Sequence, residues 1–142
     1  MAPPSNTILH AALERYTAHG REDDTVELLK LFGMKECTVL LEVRAAANGE
    51  FEKPEYATRM DPELGPVVWM YTTLKELPRQ EGGIAVLTCT VLDLIGDLLK
   101  GEDVGVVFDP ASTHAVYFRF NGPKWVIRSV ERMRAEKRAQ LN

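Results

Sequence analysis

Apolar side chains first recur at helical spacing, as Ile8, Leu9, Ala12, Leu13 and Tyr16. Asn6 or Thr7 is placed to cap that helix and Gly20 to end it. Asp23, Asp24 and Thr25 open a second helix, Val26 to Phe32, which stops at Gly33. The period then changes to two. Cys37, Val39, Leu41 and Val43 fall on one face of a strand, and Thr38, Leu40, Glu42 and Arg44 on the other. Asn48-Gly49 is a hairpin signal, and the polar stretch from Phe51 to Arg59, broken by Pro54, predicts only an edge or short strand. Asp61 to Pro66 reads as a loop. Val67 to Thr72 is almost continuously apolar, as a central strand covered on both faces would be, and Thr73 to Leu77 is one helical turn.

Ile84 to Thr88 predicts a further buried strand, followed by a helix capped at Thr90 with Asp93 three residues on. Val91, Leu94, Ile95, Leu98 and Leu99 share one face of that helix, which ends at Gly101. Strands at Val104–Phe108 and Ala115–Phe120 then flank a polar turn, Asp109 to His114. Pro123 suits the first turn of a last helix anchored by Trp125, Val126, Ile127, Val130 and Met133.

This order of elements predicts an α+β fold, a mostly antiparallel sheet of about five strands with helices packed against it, in a single domain. The helix at 91–99 is placed to make a parallel crossover. The divisions read from the chain are a flexible N-terminus over residues 1–7, an α+β domain over 8–122 and a basic C-terminal helix over 123–142. At 142 residues the chain is long enough to bury a substantial core. No apolar stretch approaches the ~20 residues of a membrane span, and the first six residues lack the basic and apolar regions of a secretory signal, so the expected location is cytoplasmic.

The net charge of −4 is unevenly spread: residues 124–142 carry six basic and two acidic side chains, giving +4, and the other 123 residues give −8. Such a helix is a candidate nucleic-acid footprint, but an acidic body repels phosphate, so nucleic acid is the less favoured partner. Cys37 and Cys89 sit inside strand-like runs without a second ligand nearby and are expected to be buried, reduced thiols.

Three segments carry a family resemblance. A leucine-rich helix leads to Val39-Leu40-Leu41-Glu42-Val43; Trp69-Met70-Tyr71-Thr72-Thr73 runs into a short helix; and Gly105-Val106-Val107-Phe108-Asp109-Pro110-Ala111-Ser112 follows the helix at 91–99. Together they resemble the N-terminal domain of the SseB family, named for enhanced serine sensitivity, over roughly residues 8–120. The family pattern usually has Asn where this chain has Asp109, and Phe where it has Tyr71. The resemblance implies an α+β domain with no settled biochemical activity.

Asp109, Ser112 and His114 are the residues from which a catalytic triad would be assembled, but three members within six residues of one turn do not readily form the relay, whereas Asp, Pro and hydroxyl residues are ordinary turn chemistry. His10 and His19 stand nine apart, not at the i, i+4 spacing of a helical metal pair, and no phosphate-binding loop is present. The sequence therefore points to no catalytic residue, cofactor or metal. It points to a non-enzymatic protein-interaction domain whose candidate surface is Asp109, Ser112, His114, Trp125 and Ile127, with a protein partner or a second copy of the chain, and without membrane contact. The alternative readings are a small-ligand-binding or hydrolytic domain using the Asp109–His114 turn, and nucleic-acid binding through the C-terminal helix.

Overall fold

A computed structural model of the chain describes residues 6–44, 55–56, 58–77, 84–98, 104–121 and 124–141. The Asn48-Gly49 hairpin signal and the helix stop at Gly101 lie outside the described residues. Helix α1 spans Thr7–His19 and α2 spans Glu22–Phe32. The Asn6 side chain accepts the Leu9 N–H at 2.9 Å, and Gly20 closes α1 in the left-handed region at φ +61°. Asn6 also donates to the Thr38 carbonyl at 3.0 Å, and its backbone N–H reaches the Thr72 carbonyl at 2.8 Å. Asn6 is thereby bonded both to the strand that begins at Thr38 and to the chain at Thr72.

Among the described residues eight strands form one sheet: β1 (Thr38–Arg44), β2 (Glu55–Tyr56), β3 (Thr58–Asp61), β4 (Gly65–Tyr71), β5 (Ile84–Thr90), β6 (Gly105–Phe108), β7 (Val116–Asn121) and β8 (Lys124–Ser129). The expected longer strands are β1, β4, β5, β6 and β7; β2 and the start of β3 fall in the stretch 51–59 expected to give only an edge or short strand, and β8 is additional. Every pairing is antiparallel except β4–β6, whose strands run parallel. Helix α3 (Val91–Leu98) makes the crossover from β5 to β6.

One edge of β1 is filled along its length by β5, so the other edge is divided between β4, at Leu40 and Leu41, and β2, at Val43 and Arg44. β4 is divided likewise, between β1 at Met70–Tyr71 and β3 at Gly65–Val68. The sheet forks between β1 and β4, and β2 and β3 fill the fork. The segment expected to be a firm loop at 61–66 is thus the tip of a hairpin whose second strand already begins at Gly65, itself at φ +84°.

The alternation in β1 is as the sequence indicates: Cys37, Val39, Leu41 and Val43 all enter the main core. That core joins α1, α2 and α3 to one sheet face through Leu9, Leu28, Phe32, Leu94, Val68, Met70, Val106, Phe108 and Phe118. Phe32 stacks on Phe108 with ring centroids 5.1 Å apart. The opposite face carries a smaller core of Val67, Val107, Ala115 and Tyr117 with Val130 of α4 (Val130–Leu141). Cys37 is buried and Cys89 half-buried. Burial pushes the Cys37 thiol pKa up, against a lowering hydrogen bond from Asn6.

The C-terminal segment differs from its expectation. Residues 124–129 are not helical: they pair with β7 from Val116↔Ser129 to Asn121↔Lys124, and the helix begins only at Val130. Adjacent apolar residues cannot share one helix face, but in a strand they point to opposite faces. Ile127 packs on the main core and Val126 on the smaller one, so both are covered.

The basic helix folds back onto the acidic body. Arg134 reaches Asp61 Oδ2 at 3.0 Å and Glu63 Oε1 at 2.9 Å, and the Lys137 ammonium donates to the Glu63 carbonyl. Burial opposes ionisation of Asp61, but the backbone N–H groups of Glu63 and Leu64 and the Arg134 guanidinium outweigh it, so its pKa lies below the ordinary carboxylate value. A carboxyl with a lowered folded-state pKa contributes stability that is present above its unfolded value, about 3.9, and is lost as pH falls through the folded value. Asp61→Asn is therefore expected to flatten the acid side of the stability curve. Thermal melts taken from neutral pH to about pH 3 check this, and an unchanged slope would count against the Arg134 clasp.

Candidate functional site at the ends of β4 and β6

The parallel strands β4 and β6 end side by side, and the chain leaving each contributes to one polar cluster. After β6, Asp109 is fully buried and is the one non-glycine residue at positive φ (+50°) among the described residues. Asp and Asn tolerate this region better than most residues. Its N–H donates to the Met70 carbonyl at 2.7 Å, continuing the β4–β6 ladder by one residue. Its carboxylate accepts the Thr72 N–H at 2.8 Å on Oδ1 and the Thr72 hydroxyl at 2.7 Å on Oδ2. Asp109 thus locks the two strand ends together.

His114, at the far side of the turn, is 8% exposed and places Nε2 at 2.9 Å from Asp109 Oδ2. Ser112 bonds locally, its N–H and its hydroxyl both going to the Asp109 carbonyl, at 3.0 and 2.7 Å. The histidine engages the aspartate while the serine hydroxyl is committed to the backbone, so the triad order of serine, histidine and aspartate is not assembled. The turn reading of Ser112 is the one its contacts match.

Two residues the sequence did not point to complete the cluster. Glu76, in the single 3-10 turn Leu74–Glu76 after β4, puts Oε1 at 3.8 Å from His114 Nε2. His10 of α1 puts Nε2 at 3.3 Å from the same oxygen, and its ring meets that of His114 edge-on, with centroids 4.4 Å apart. The other nitrogen of His10 lies 2.8 Å from Glu14 Oε1, one helical turn along. Among the described residues, one donor atom each from His10, Glu76, Asp109 and His114 lies within 4.8 Å of the others, a grouping with the spacing and residue types of a metal site. His10 therefore pairs in space with His114, not with His19. The sequence signal available was the residue types alone, since His10 and Glu76 are brought together from 66 positions apart.

The other proposed surface residues are dispersed. Ile127 is half-buried, with its carbonyl accepting the Tyr16 hydroxyl at 3.0 Å. Trp125 stands in β8 opposite Phe120, and its side chain is outside the described residues. At the turn itself, Ala111 and Thr113 are exposed. Pro110 and Ala111 also border a cavity of about 140 Å³ on the α4 side of the sheet, with Trp69, Tyr71, Val107 and Arg134 among its walls.

Beneath that face, Glu42 is nearly fully buried, accepting the Tyr71 hydroxyl at 2.6 Å and Arg59 at 3.2 Å. Burial, then the hydrogen bond to Glu42, raise the Tyr71 pKa far above that of a free phenol. Arg59 lies 4.3 Å from the centre of the Trp69 ring. Among the described residues no helix is long and apolar enough to cross a membrane. No family model, curated protein or solved structure matches the chain.

Proposed function

We propose that the chain is a non-enzymatic domain of the kind the SseB resemblance implies, cytoplasmic, and acting through protein contacts made by the turn from Asp109 to His114. The observation that carries this reading is the turn's construction: Asp109 is wholly buried and bonded to Met70 and Thr72, while the tip at Ala111 and Thr113 stands exposed. A projecting segment held rigid by its scaffold binds without first having to order itself. The cavity beside Pro110 and Ala111 offers a seat for a partner's apolar side chain, with the Arg134 guanidinium at its wall. The same turn would serve the small-ligand reading, and the His10–Glu76–Asp109–His114 cluster favours a role for the turn beyond shaping the chain. Nucleic-acid binding is less well supported, because Arg134 and Lys137 of the basic helix are already bonded to the acidic body.

The test compares partners captured from native lysate by the wild-type chain, by an Ala111→Arg, Thr113→Arg variant and by an Arg138→Glu control, with solution mass measured for each. Exposed substitutions of this kind change stability by about 0.5 kcal/mol or less. Partners, or a dimer, held by wild type and control but lost from the turn variant are expected. Identical capture and mass for all three would overturn the proposal.

A further inference from the structure

We infer that His10, Glu76, Asp109 and His114 form a four-ligand site for a divalent transition-metal ion, with Zn²⁺ the best fit. The inference rests on the turn being a working part of the molecule and deepens that reading by naming a ligand. Two imidazoles and two carboxylates are a donor set that Zn²⁺ takes readily, and imidazole donors disfavour Mg²⁺ and Ca²⁺. A tetrahedral ion with ligands at about 2.0–2.1 Å needs its donor atoms about 3.3 Å apart. The separations of 2.9, 3.3 and 3.8 Å measured around Glu76 and His114 bracket that spacing. With both imidazoles neutral, the cluster has a formal charge of −2, which a divalent cation cancels.

The surroundings are those of a ligand site and exceed what the turn itself requires. Thr72 holds the Asp109 carboxylate by both oxygens. Glu14 lies against Nδ1 of His10, leaving Nε2 directed at the cluster. A carboxylate on the far nitrogen of a histidine is the usual outer support of a metal ligand, because it fixes the tautomer and raises the basicity of the ligating nitrogen. Asp109 and His114 are buried, and His10 and Glu76 form the half-exposed side through which an ion would enter. The four residues come from α1, the turn after β4 and the turn after β6, so one ion would tie the first helix to the ends of the central strands. Binding exchanges the hydrogen bond at His114 Nε2 for a metal bond, and the neutral ring then carries its one proton on Nδ1, so no net proton is lost.

The experiment uses the untagged full chain, stripped by chelator and dialysed against ZnCl₂, with bound metal counted by mass spectrometry and affinity measured by calorimetry. One Zn²⁺ per chain and a rise in melting temperature are expected, with no uptake of Mg²⁺. Cobalt(II) should give the intense visible absorption of a four-coordinate site. His10→Gln and Glu76→Gln, both at half-exposed positions, should each weaken binding at least tenfold while leaving the metal-free melting temperature near that of wild type. Glu14→Ala, which touches no metal, should weaken it about 10-fold or more. His19→Gln should change nothing. Stoichiometry near zero, or binding unaltered in the His10→Gln, Glu76→Gln double variant, would overturn the inference. Because the readout is metal on the isolated chain, failure here leaves the partner test untouched, and the converse also holds.

Discussion

Asp109→Ala is expected to be the most damaging single truncation at the turn, lowering stability by about 3–4 kcal/mol and the melting temperature by roughly 10 °C. The carboxylate is wholly buried, and its loss strands the Thr72 N–H, the Thr72 hydroxyl and one His114 nitrogen together. Buried donors left without a partner cost about 1–3 kcal/mol each, with less than additive effect because all three meet at one group. Alanine also inherits a backbone at φ +50° that it adopts poorly. Asp109→Asn separates these contributions. Asparagine tolerates the backbone, keeps an acceptor for the Thr72 N–H, and presents an amide that the Thr72 hydroxyl and a re-tautomerised His114 can accept. Its cost should be about 1 kcal/mol. Urea melts of the three proteins decide the matter: equal losses for Asn and Ala would mean that the carboxylate does not organise the strand ends as described.

Gly105→Ala should be the second severe change, from steric causes alone. A Cβ at Gly105 would stand 2.5–2.7 Å from the Cε2, Cζ and hydroxyl of Tyr117, across the β6–β7 pair. The Tyr117 ring is buried in the smaller core with Val67, Val107 and Val130, so it has little room to retreat. Overpacking of this kind costs about 1–3 kcal/mol, and the upper half of that range is expected here. The diagnostic result is rescue. Tyr117→Leu is itself destabilising, but the double variant Gly105→Ala, Tyr117→Leu should be more stable than the sum of the two predicts by at least ~0.5 kcal/mol. Strict additivity would place the clash elsewhere.

Much of the architecture could be read from the chain because its signals are local. Alternation fixed the buried face of β1, the Asn6 cap and Gly20 stop bounded α1, and the unbroken apolar run marked β4 as central. The final segment misled for a local reason too: Pro123 is a helix-start signal, and Trp125-Val126-Ile127 appeared as a crowded helix face when it is a strand between two packed layers. The hairpin at 58–71 was hidden behind Pro62, Gly65 and Pro66, which describe a loop as well as a tight turn. The turn at 109–114 was legible as a turn. Its completion by His10 and Glu76 was not, because their neighbourhood exists only once α1 is laid across the end of β4, a consequence of Asn6 bonding to Thr72 and Thr38. No periodicity or spacing encodes that arrangement.

The parallel pairing of β4 with β6 also has a bearing on synthesis. Trp69 pairs with Val107, so the β4 backbone waits for a partner 38 residues further along the chain. At ribosomal speeds of about 5–20 residues per second, that is roughly 2–8 s during which Val67 to Met70 present an unpaired apolar edge to the cell. The nascent chain is accordingly exposed to mispairing from the emergence of Val67 to Met70 until Gly105 to Phe108 have followed.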